Sequence, residues 1–182
     1  IATDIDVASA SKTAEMIGAD KARADKLDVT IEAEWERIFA DIAAQEGVID
    51  IMVNNAGIAV GVPFVEMSLA DWQRQNAVNL DGVFLGSKYA VLSMAAKGTG
   101  SIINISSVAG LVGAPGLAGY CATKGGVRLF TKAAAVELAS GGLNIRVNSV
   151  HPGIIDTPIW GKDISGLLAV APQMSSEGSN RL

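Results

Sequence analysis

Two residues whose chemistry could be coupled stand four positions apart in the stretch YCATK, at Tyr120 and Lys124. On a helix, positions i and i+4 lie on one face, about 5–6 Å apart. A phenol has an ordinary pKa near ~10, and a neighbouring ammonium group favours its ionised form. The pair could therefore exchange a proton with a bound hydroxyl or carbonyl group. The same spacing also arises by chance in helices that have no such role.

Short apolar strands and helices alternate along the chain and must position these two side chains. Strands are predicted at 1–4, 24–29, 48–53, 101–105 and from 144 to a Pro-Gly turn at 152–153. Helices are predicted at 8–17, from 30 onwards, at 69–96 and at 119–139. The second helix carries a stripe of apolar side chains that should face a sheet. Its members are Ile31, Trp35, Ile38, Phe39 and Ile42.

Nearly continuous apolar strands separated by helices indicate a parallel sheet that is covered on both faces. We therefore predict a single-domain, doubly wound α/β fold over residues 1–182. In such sheets ligands bind beyond the carboxyl ends of the strands. The informative polar residues fall at these ends: Asp4, residues 54–57, Ser106, Ser107 and residues 152–157.

Bulk composition bears on the partners and the compartment. The formal net charge of −5 argues against nucleic acid or an anionic membrane as a partner. No apolar run approaches the ~18 residues of a membrane span. Cys121 is the one cysteine, so no internal disulfide can form and a reducing cytoplasm is expected. No cluster of ligands predicts a metal site, and the one histidine, His151, is interpreted as structural or supporting rather than catalytic.

Five short motifs follow one another along the chain. They are NNAG at 54–57, VNLDG around Asn79, INISS ending at Ser107, YCATK thirteen residues later, and HPGIIDT at 151–157. A tyrosine–lysine pair alone would carry little weight, but this ordered set resembles the short-chain dehydrogenase/reductase family over essentially the whole chain. The resemblance implies a Rossmann fold and an NAD(P)-dependent oxidoreductase acting on CH–OH groups.

The resemblance also implies the catalytic roles. Tyr120 would be the general acid/base, and Lys124 would lower its pKa and bind the nicotinamide ribose. Ser107 would hydrogen-bond the substrate oxygen, and Asn79 would hold a proton-relaying water. Each has a plainer interpretation: Tyr120 as a buried tyrosine, Ser106 and Ser107 as turn formers, and Asn79 as an ordinary polar helix residue. The thirteen-residue spacing to Tyr120 selects Ser107 over Ser106.

For the cofactor, a carboxylate at Asp4 would bind the adenosine ribose hydroxyls of NAD and repel the extra phosphate of NADP. Asp6 is a rival for this role. The next basic residue is Lys12, so NAD is predicted rather than NADP. The resemblance assigns the remaining cofactor contacts to Asp28, Val29, Asn55, Ala56, Gly57, Tyr120, Lys124, Pro152, Gly153, Ile155 and Thr157. The alternative for Asp28 is that it has no contact with the cofactor and merely stands before a helix start at Thr30.

One departure from the family concerns the pyrophosphate site. No glycine-rich fingerprint lies before Asn54, although a pyrophosphate needs one at a helix N-terminus. We expect the family's first strand and this loop to precede Ile1. Their absence would leave a hole in the middle of the sheet. The family's last strand is expected to be missing as well. Residues 1–182, read as a fragment truncated at both ends, should then neither bind a dinucleotide nor fold stably alone.

The resemblance favours hydride transfer between NAD(H) and a secondary alcohol or ketone of the hydroxysteroid, cyclic-alcohol or sugar type. Two alternatives stay open: an NADPH-dependent 3-oxoacyl-thioester reductase, and a non-catalytic NAD-binding regulator. The substrate loop is expected at about 156–182, with an apolar lid or a packing surface formed by Ile159, Trp160, Leu167 and Leu168. The implied assembly is a homotetramer or a homodimer.

Overall fold

The computed structural model describes residues 1–18, 20–155 and 157–160, and of residue 160 the backbone alone. The strands are β1 (Ala2–Asp4), β2 (Ala24–Lys26), β3 (Ile51–Asn54), β4 (Thr99–Ile105) and β5 (Asn144–Val150). The longer helices are α1 (Val7–Ile17), α2 (Glu32–Gln45), α3 (Leu69–Asn76), α4 (Gly82–Ala95) and α5 (Ala118–Ser140). A π-helical turn, Ala77–Asp81, joins α3 to α4, and short 3-10 turns occupy Phe64–Glu66, Val108–Gly110 and Pro158–Trp160.

All the strand pairs are parallel, which confirms the predicted α/β class. β1 pairs with β2, and β3, β4 and β5 pair in that order. Among the described residues β1 and β3 do not pair with each other, so the sheet is divided into two parts. Ile51 and Val53 on β3 are 64% and 48% exposed. Because alternate side chains of a strand point to the same face of a sheet, this exposure leaves one face of β3 uncovered. Among the described residues, the edge of β3 that faces away from β4 has no strand partner.

Two strands are shorter than the apolar runs that predicted them. β2 stops at Lys26 because the chain then turns at Asp28, whose carboxylate accepts the backbone N–H of Thr30 at 2.9 Å and its hydroxyl at 2.7 Å. β3 begins at Ile51 rather than at residue 48. The N–H of Ile49 donates to the Ser93 hydroxyl at 3.3 Å instead of entering a strand ladder.

The predicted apolar stripe of α2 is confirmed, except at its first position. Trp35, Ile38 and Ile42 are buried in one cluster, whereas Ile31 is the N-cap residue and is 44% exposed. The helix begins at Glu32 because the turn at Asp28 and Thr30 comes first. This stripe fixes α2 against the sheet and against α4.

The predicted continuous helix over 69–96 contains a π-helical turn at Asn79. The Asn79 amide oxygen accepts the N–H of Ile58 at 2.8 Å, and its Nδ2 donates to the Ile58 carbonyl at 2.9 Å. These bonds hold the turn against the loop that follows β3. π-Helical turns occur frequently at functional sites. Ser68 caps α3 by accepting the N–H of Asp71 at 3.0 Å.

Helix α4 lies very close to the sheet at Gly86. A Cβ atom at this position would lie 2.1 Å from Oδ1 of Asn54 and 2.8 Å from the Trp35 ring. Such distances are shorter than any van der Waals contact, so only glycine permits this approach. The close packing brings α4 over the end of β3, which leads into the NNAG turn.

A buried chain of hydrogen bonds crosses the three-stranded part of the sheet. Nδ2 of Asn54 donates to Ser87 on α4 at 3.1 Å and to Asn104 on β4 at 2.8 Å. Asn104 in turn donates to the Thr131 hydroxyl on α5 at 3.0 Å. Because buried polar groups are costly unless they are paired, this network fixes the mutual positions of β3, β4, α4 and α5.

Candidate active site

Ser107 lies immediately beyond the carboxyl end of β4. Its hydroxyl oxygen accepts the N–H of Ala109 at 3.1 Å and caps the 3-10 turn Val108–Gly110. The following N–H, of Val108, donates to the carbonyl of Pro152 at 3.0 Å. The side chain is 8% exposed. The predicted turn-forming role and the predicted contact with substrate therefore involve the same hydroxyl group.

Helix α5 presents Tyr120 and Lys124 on one face, as their spacing predicts. The Lys124 ammonium nitrogen lies 5.6 Å from the centre of the Tyr120 ring. It donates to the backbone carbonyl of Ile105, the last residue of β4, at 2.8 Å. The side chains are 5% and 2% exposed respectively. Lys124 therefore joins α5 to the strand that leads to Ser107.

Burial dominates the electrostatics of this pair. Loss of solvation raises the pKa of Tyr120 above its usual value, while a hydrogen bond with Ser107 lowers it. Burial lowers the pKa of Lys124 to about 8. Both shifts favour the neutral form of each group. In the described surroundings, the lysine thus does not by itself produce the acidic phenol that the sequence analysis expects.

Asn79 reaches the same place from the π-helical turn. Its Nδ2 donates to the Thr123 hydroxyl at 3.1 Å, and that hydroxyl donates to the carbonyl of Tyr120 at 2.9 Å. A Cβ at Gly57 would lie 3.4 Å from Asn79 Oδ1 and 3.4 Å from Lys124 Nζ. Gly57 therefore passes close to both side chains.

Sequence reasoning missed two polar residues that support this arrangement. Thr123 is fully buried between Asn79 and Tyr120, and its position directly before Lys124 in YCATK was the available signal. Gln75 is also fully buried, and its amide oxygen accepts the N–H of Val60 at 3.1 Å. A glutamine in an otherwise exposed helix gives no local signal of burial.

A cavity of about 350 Å³ opens at the carboxyl ends of β1, β2 and β3. It brings together six of the predicted cofactor residues: Asp4, Asp28, Val29, Asn55, Ala56 and Gly57. These residues come from three separate loops, and the parallel arrangement of the strands places them at one edge. Asn54, the first residue of NNAG, borders the cavity while its side chain holds the buried network.

The carboxylates near this cavity have different hydrogen-bond roles. Asp6, the rival to Asp4, caps α1 by accepting the N–H of Ala8 at 3.1 Å and the Ser9 hydroxyl at 3.0 Å. Asp4 lines the cavity and accepts the N–H of Asp6 at 2.9 Å. Arg74 lines the same cavity, which the sequence analysis did not predict.

The predicted nicotinamide-contacting segment follows β5, two strands away from this cavity. Pro152 accepts the N–H of Val108 at 3.0 Å, and Gly153, Ile155 and Thr157 are exposed. None of these four is among the described residues that line the cavity. Of the predicted lid, Ile159 packs against the apolar cluster that contains Tyr120. Asp156, Leu167 and Leu168 lie outside the described residues.

Two absences concern only residues 1–18, 20–155 and 157–160. There, no helix has the length and apolar character needed to cross a bilayer. Within the same residues, no group of three or more histidine, cysteine or carboxylate side chains could hold a metal ion.

Parallel strands, intervening helices and polar residues gathered at the carboxyl ends of the strands define a Rossmann-type α/β protein. The chain belongs to the short-chain dehydrogenase family, whose model, described as short chain dehydrogenase, matches residues 1–166. This finding confirms the resemblance and the predicted fold class.

Similar proteins include enzymes that act on cyclic alcohols and on steroids. The chain is 50% identical over 133 residues to a cyclopentanol dehydrogenase of Comamonas testosteroni, covering 73% of this chain and 52% of that protein. It is 48% identical over 141 residues to a 3-alpha-(or 20-beta)-hydroxysteroid dehydrogenase of Mycobacterium tuberculosis, covering 78% and 54%. The chain thus spans about half the length of these relatives.

A solved structure gives the same fold. A gluconate 5-dehydrogenase from Burkholderia cenocepacia, crystallised with NADP and tartrate, superposes with a TM-score of 0.80 at 34% identity. The match covers 88% of this chain and 63% of the other.

Proposed function

We propose that the whole protein is an oxidoreductase that transfers a hydride between a nicotinamide dinucleotide and a secondary alcohol or ketone. The observation that carries this proposal is the convergence of Ser107, Tyr120 and Lys124. Gly57 lies close to both Lys124 and Asn79, and Asn79 bonds to Thr123 on the same helix as Tyr120. Five side chains or backbone segments from four parts of the chain meet there. A tyrosine that only filled the core would not need these neighbours.

In the alcohol-oxidising direction, Tyr120 takes the hydroxyl proton as hydride leaves the carbinol carbon, and in the reverse direction it returns a proton to the oxygen. Ser107 donates its hydroxyl hydrogen to the substrate oxygen and stabilises the negative charge that develops there. The Ala109 N–H bond to the Ser107 oxygen leaves the hydroxyl hydrogen to be donated elsewhere. General acid–base catalysis of this kind contributes about 10²–10⁴-fold to a rate.

Lys124 and the cavity residues fit a dinucleotide. The nicotinamide, when bound, supplies the hydride acceptor or donor and, in its oxidised form, a positive charge. Lys124 would bind a ribose hydroxyl, and Asn79 would hold a water on a proton path from the lysine. Asp28, Val29 and residues 55–57 would contact the adenosine, while Pro152, Gly153, Ile155 and Thr157 would bind the carboxamide end. The cavity at the strand ends supports the first of these two groups.

We propose NAD rather than NADP as the preferred form. Asp4 supports it, because a carboxylate at the cavity edge would repel the additional phosphate of NADP. Arg74 in the same lining is the feature that would favour NADP, since a guanidinium can pair with a phosphate. The ratio of kcat/KM for NAD to that for NADP, measured on the whole protein, shows which of these two residues determines the preference.

The surroundings of Tyr120 support an apolar, ring-shaped substrate. Its cluster consists of Ala59, Ala109 and Leu117, with Ile159 packed against it. Apolar walls with few polar groups are typical of small-molecule pockets. Relatives named for cyclopentanol and for 3-alpha-(or 20-beta)-hydroxysteroids favour ring-containing secondary alcohols over acyl thioesters.

The divided sheet supports a further part of the proposal. We propose that a parallel strand fills the gap between β1 and β3 and brings a glycine-rich turn to the pyrophosphate. The open edge of β3 would gain backbone partners. The neighbouring side chains would cover part of the face that carries Ile51 and Val53, which are 64% and 48% exposed. The short β1 would become an interior strand.

We also propose a homodimer or homotetramer in a reducing cytoplasm. Apolar side chains stand exposed on the two helices next to the site: Phe84 and Leu92 on α4, and Leu129 and Val136 on α5. Their exposures of 48–69% would be reduced by a second copy of the chain. Light scattering during size-exclusion chromatography measures the assembly directly.

The decisive experiment assays the whole protein with NAD(H) and NADP(H) against cyclic secondary alcohols, hydroxysteroids, sugar lactols and 3-oxoacyl thioesters. Reduced nicotinamide is followed by its near-ultraviolet absorbance. Turnover of cyclic alcohols or their ketones with NAD supports the proposal. Turnover restricted to acyl thioesters with NADPH would instead identify the thioester reductase, and tight NAD binding without any turnover would identify a regulator.

A further inference from the structure

His151 bridges two residues at the carboxyl end of the three-stranded part of the sheet. Its Nε2 lies 2.9 Å from the Ser149 hydroxyl, and its Nδ1 lies 3.1 Å from the backbone carbonyl oxygen of Ser107. The ring is partly buried. A side chain directly before the Pro-Gly turn is thus bonded to the backbone of the proposed catalytic serine.

The partners determine which ring nitrogen carries hydrogen. A carbonyl oxygen can only accept, so the hydrogen must be on Nδ1. In the neutral ring Nε2 is then the acceptor, and the Ser149 hydroxyl donates to it. Gly110 donates the second hydrogen bond to the Ser107 carbonyl, at 2.9 Å, so both lone pairs of that oxygen are used.

The bond between His151 and Ser107 lies just beyond the end of the β4–β5 pair, where the chain that follows β5 has fewer backbone N–H donors. The N–H of Ser106 donates to Val150 at 2.8 Å, and that of Val108 donates to Pro152 at 3.0 Å. Proline has no N–H, so Pro152 cannot donate back across the gap. The imidazole donates from the β5 side at the residue between these two bonds, which is Ser107.

We propose that His151 is a positioning residue for Ser107: its Nδ1–H fixes the backbone of the serine and thereby the direction of its hydroxyl group. The inference rests on the proposed catalytic role of Ser107. It also joins the serine to the Pro152–Gly153 turn, so that the substrate-binding hydroxyl and the proposed cofactor-binding turn keep one relative position.

Two variants separate the hydrogen bond from simple packing. The amide nitrogen of His151→Asn can occupy the position of Nδ1 and donate to Ser107, whereas His151→Leu retains bulk without a donor. A displacement of about 1 Å at a catalytic group can lower a rate by about 100-fold. We expect kcat to fall about 10- to 100-fold in the leucine variant and to stay within about threefold of wild type in the asparagine variant, with KM and dinucleotide affinity nearly unchanged in both.

A double-mutant cycle shows whether the effect passes through Ser107. In a Ser107→Ala background, His151→Leu should lower the remaining turnover by less than about twofold, because groups that act as a unit are strongly non-additive. An equal loss in both backgrounds, or equal losses in the leucine and asparagine variants, would overturn the positioning role. Full turnover of Ser107→Ala alone would instead show that the proposed function misassigns the serine.

The ring nitrogen of His151 that carries the hydrogen can be observed directly, and general structural damage would not change it in the same way. Long-range ¹H–¹⁵N spectra of the whole protein at neutral pH should show a protonated Nδ1 in the signal that disappears in His151→Asn. A predominant Nε2–H tautomer there would contradict the inference. Ser149→Ala should shift this equilibrium, because it removes the donor to Nε2.

Discussion

The ammonium group of Lys124 stands beside the ring of Tyr120, 5.6 Å from its centre, and donates to the carbonyl of Ile105. The two side chains are buried together, and burial makes the phenol a weaker acid while lowering the lysine pKa to about 8. A catalytic phenolate therefore needs positive charge beyond that of Lys124. The oxidised nicotinamide of the proposed function carries such a charge.

Removing the Tyr120 hydroxyl should lower turnover strongly and leave dinucleotide binding nearly unchanged. For Tyr120→Phe we expect turnover to fall about 10²–10⁴-fold, the usual contribution of a general acid–base group. Dinucleotide affinity, measured by fluorescence titration, should change little because the ring and its packing are kept. Tyr89→Phe is the matched control, since Tyr89 is bonded to Glu36 at 3.1 Å on the exposed surface. Residual turnover above about a tenth of wild type would be incompatible with the role.

Lys124 should impose a specific pH dependence on stability. Its pKa is about 8 in the folded protein against an ordinary 10.5, so between these pH values the unfolded chain binds more protons. The free energy of unfolding then rises with pH across this window, on the order of 3 kcal/mol. Below about pH 8 both states are protonated and the cost of the buried charge is constant.

The difference between wild type and Lys124→Met isolates this effect, because other titrating groups cancel. Urea unfolding at pH values from 7 to about 10 should show wild type gaining stability relative to the variant. Lys132→Met, which removes an exposed lysine on the same helix, controls for the lost charge. A constant difference between wild type and Lys124→Met would refute the lowered pKa.

Asp4 should determine the choice of dinucleotide. For Asp4→Ala we expect the ratio of kcat/KM for NADPH to that for NADH to rise by about tenfold or more, because the carboxylate no longer repels the phosphate. Asp6→Ala is the control: it removes the N-cap of α1 and should cost about 0.5–2 kcal/mol of stability without moving the ratio. If the ratio changes in Arg74→Ala but not in Asp4→Ala, the arginine determines the selectivity instead.

Gly86 should tolerate no side chain. Its Cβ would lie 2.1 Å from the Asn54 oxygen, so Gly86→Ala should destabilise the protein by about 1–3 kcal/mol or more through overpacking. Gly125→Ala is the matched control on α5, where the nearest atom outside the helix's own backbone is the Gly110 carbonyl oxygen, 4.0 Å away. Helix propensity predicts a gain of about 0.5–1 kcal/mol there. Thermal unfolding of both variants measures the contrast, and equal stability of the two would contradict the packing.

The sequence predicted the elements and the meeting of the main side chains for physical reasons. The i, i+4 rule fixes Tyr120 and Lys124 on one face, and parallel strands bring their carboxyl ends to one edge, which gathers Asp4, Asp28 and Gly57. These relationships depend on local periodicity and on the direction of the strands. Both are readable without tertiary contacts.

Other features depend on contacts between distant segments and leave no local pattern. The π-helical turn exists because Asn79 bonds to Ile58, 21 residues earlier. The bond between His151 and Ser107 spans 44 residues, and Arg74 reaches the cavity only through the packing of α3. The opposing pKa shifts of Tyr120 and Lys124 likewise follow from burial, which spacing alone does not measure.

The π-helical turn Ala77–Asp81 has a consequence for insertions and deletions in this family member. A π-helical turn takes about one residue more than an α-helical turn for nearly the same rotation, so deletion of one residue within 77–81 would favour a regular α-helix and leave the direction of α4 nearly unchanged. The Asn79 amide would lose its bonds to Ile58, whereas Gly86 would keep its place against Asn54. Such a deletion would therefore separate the loss of the Asn79 contacts from any disturbance of the helix packing.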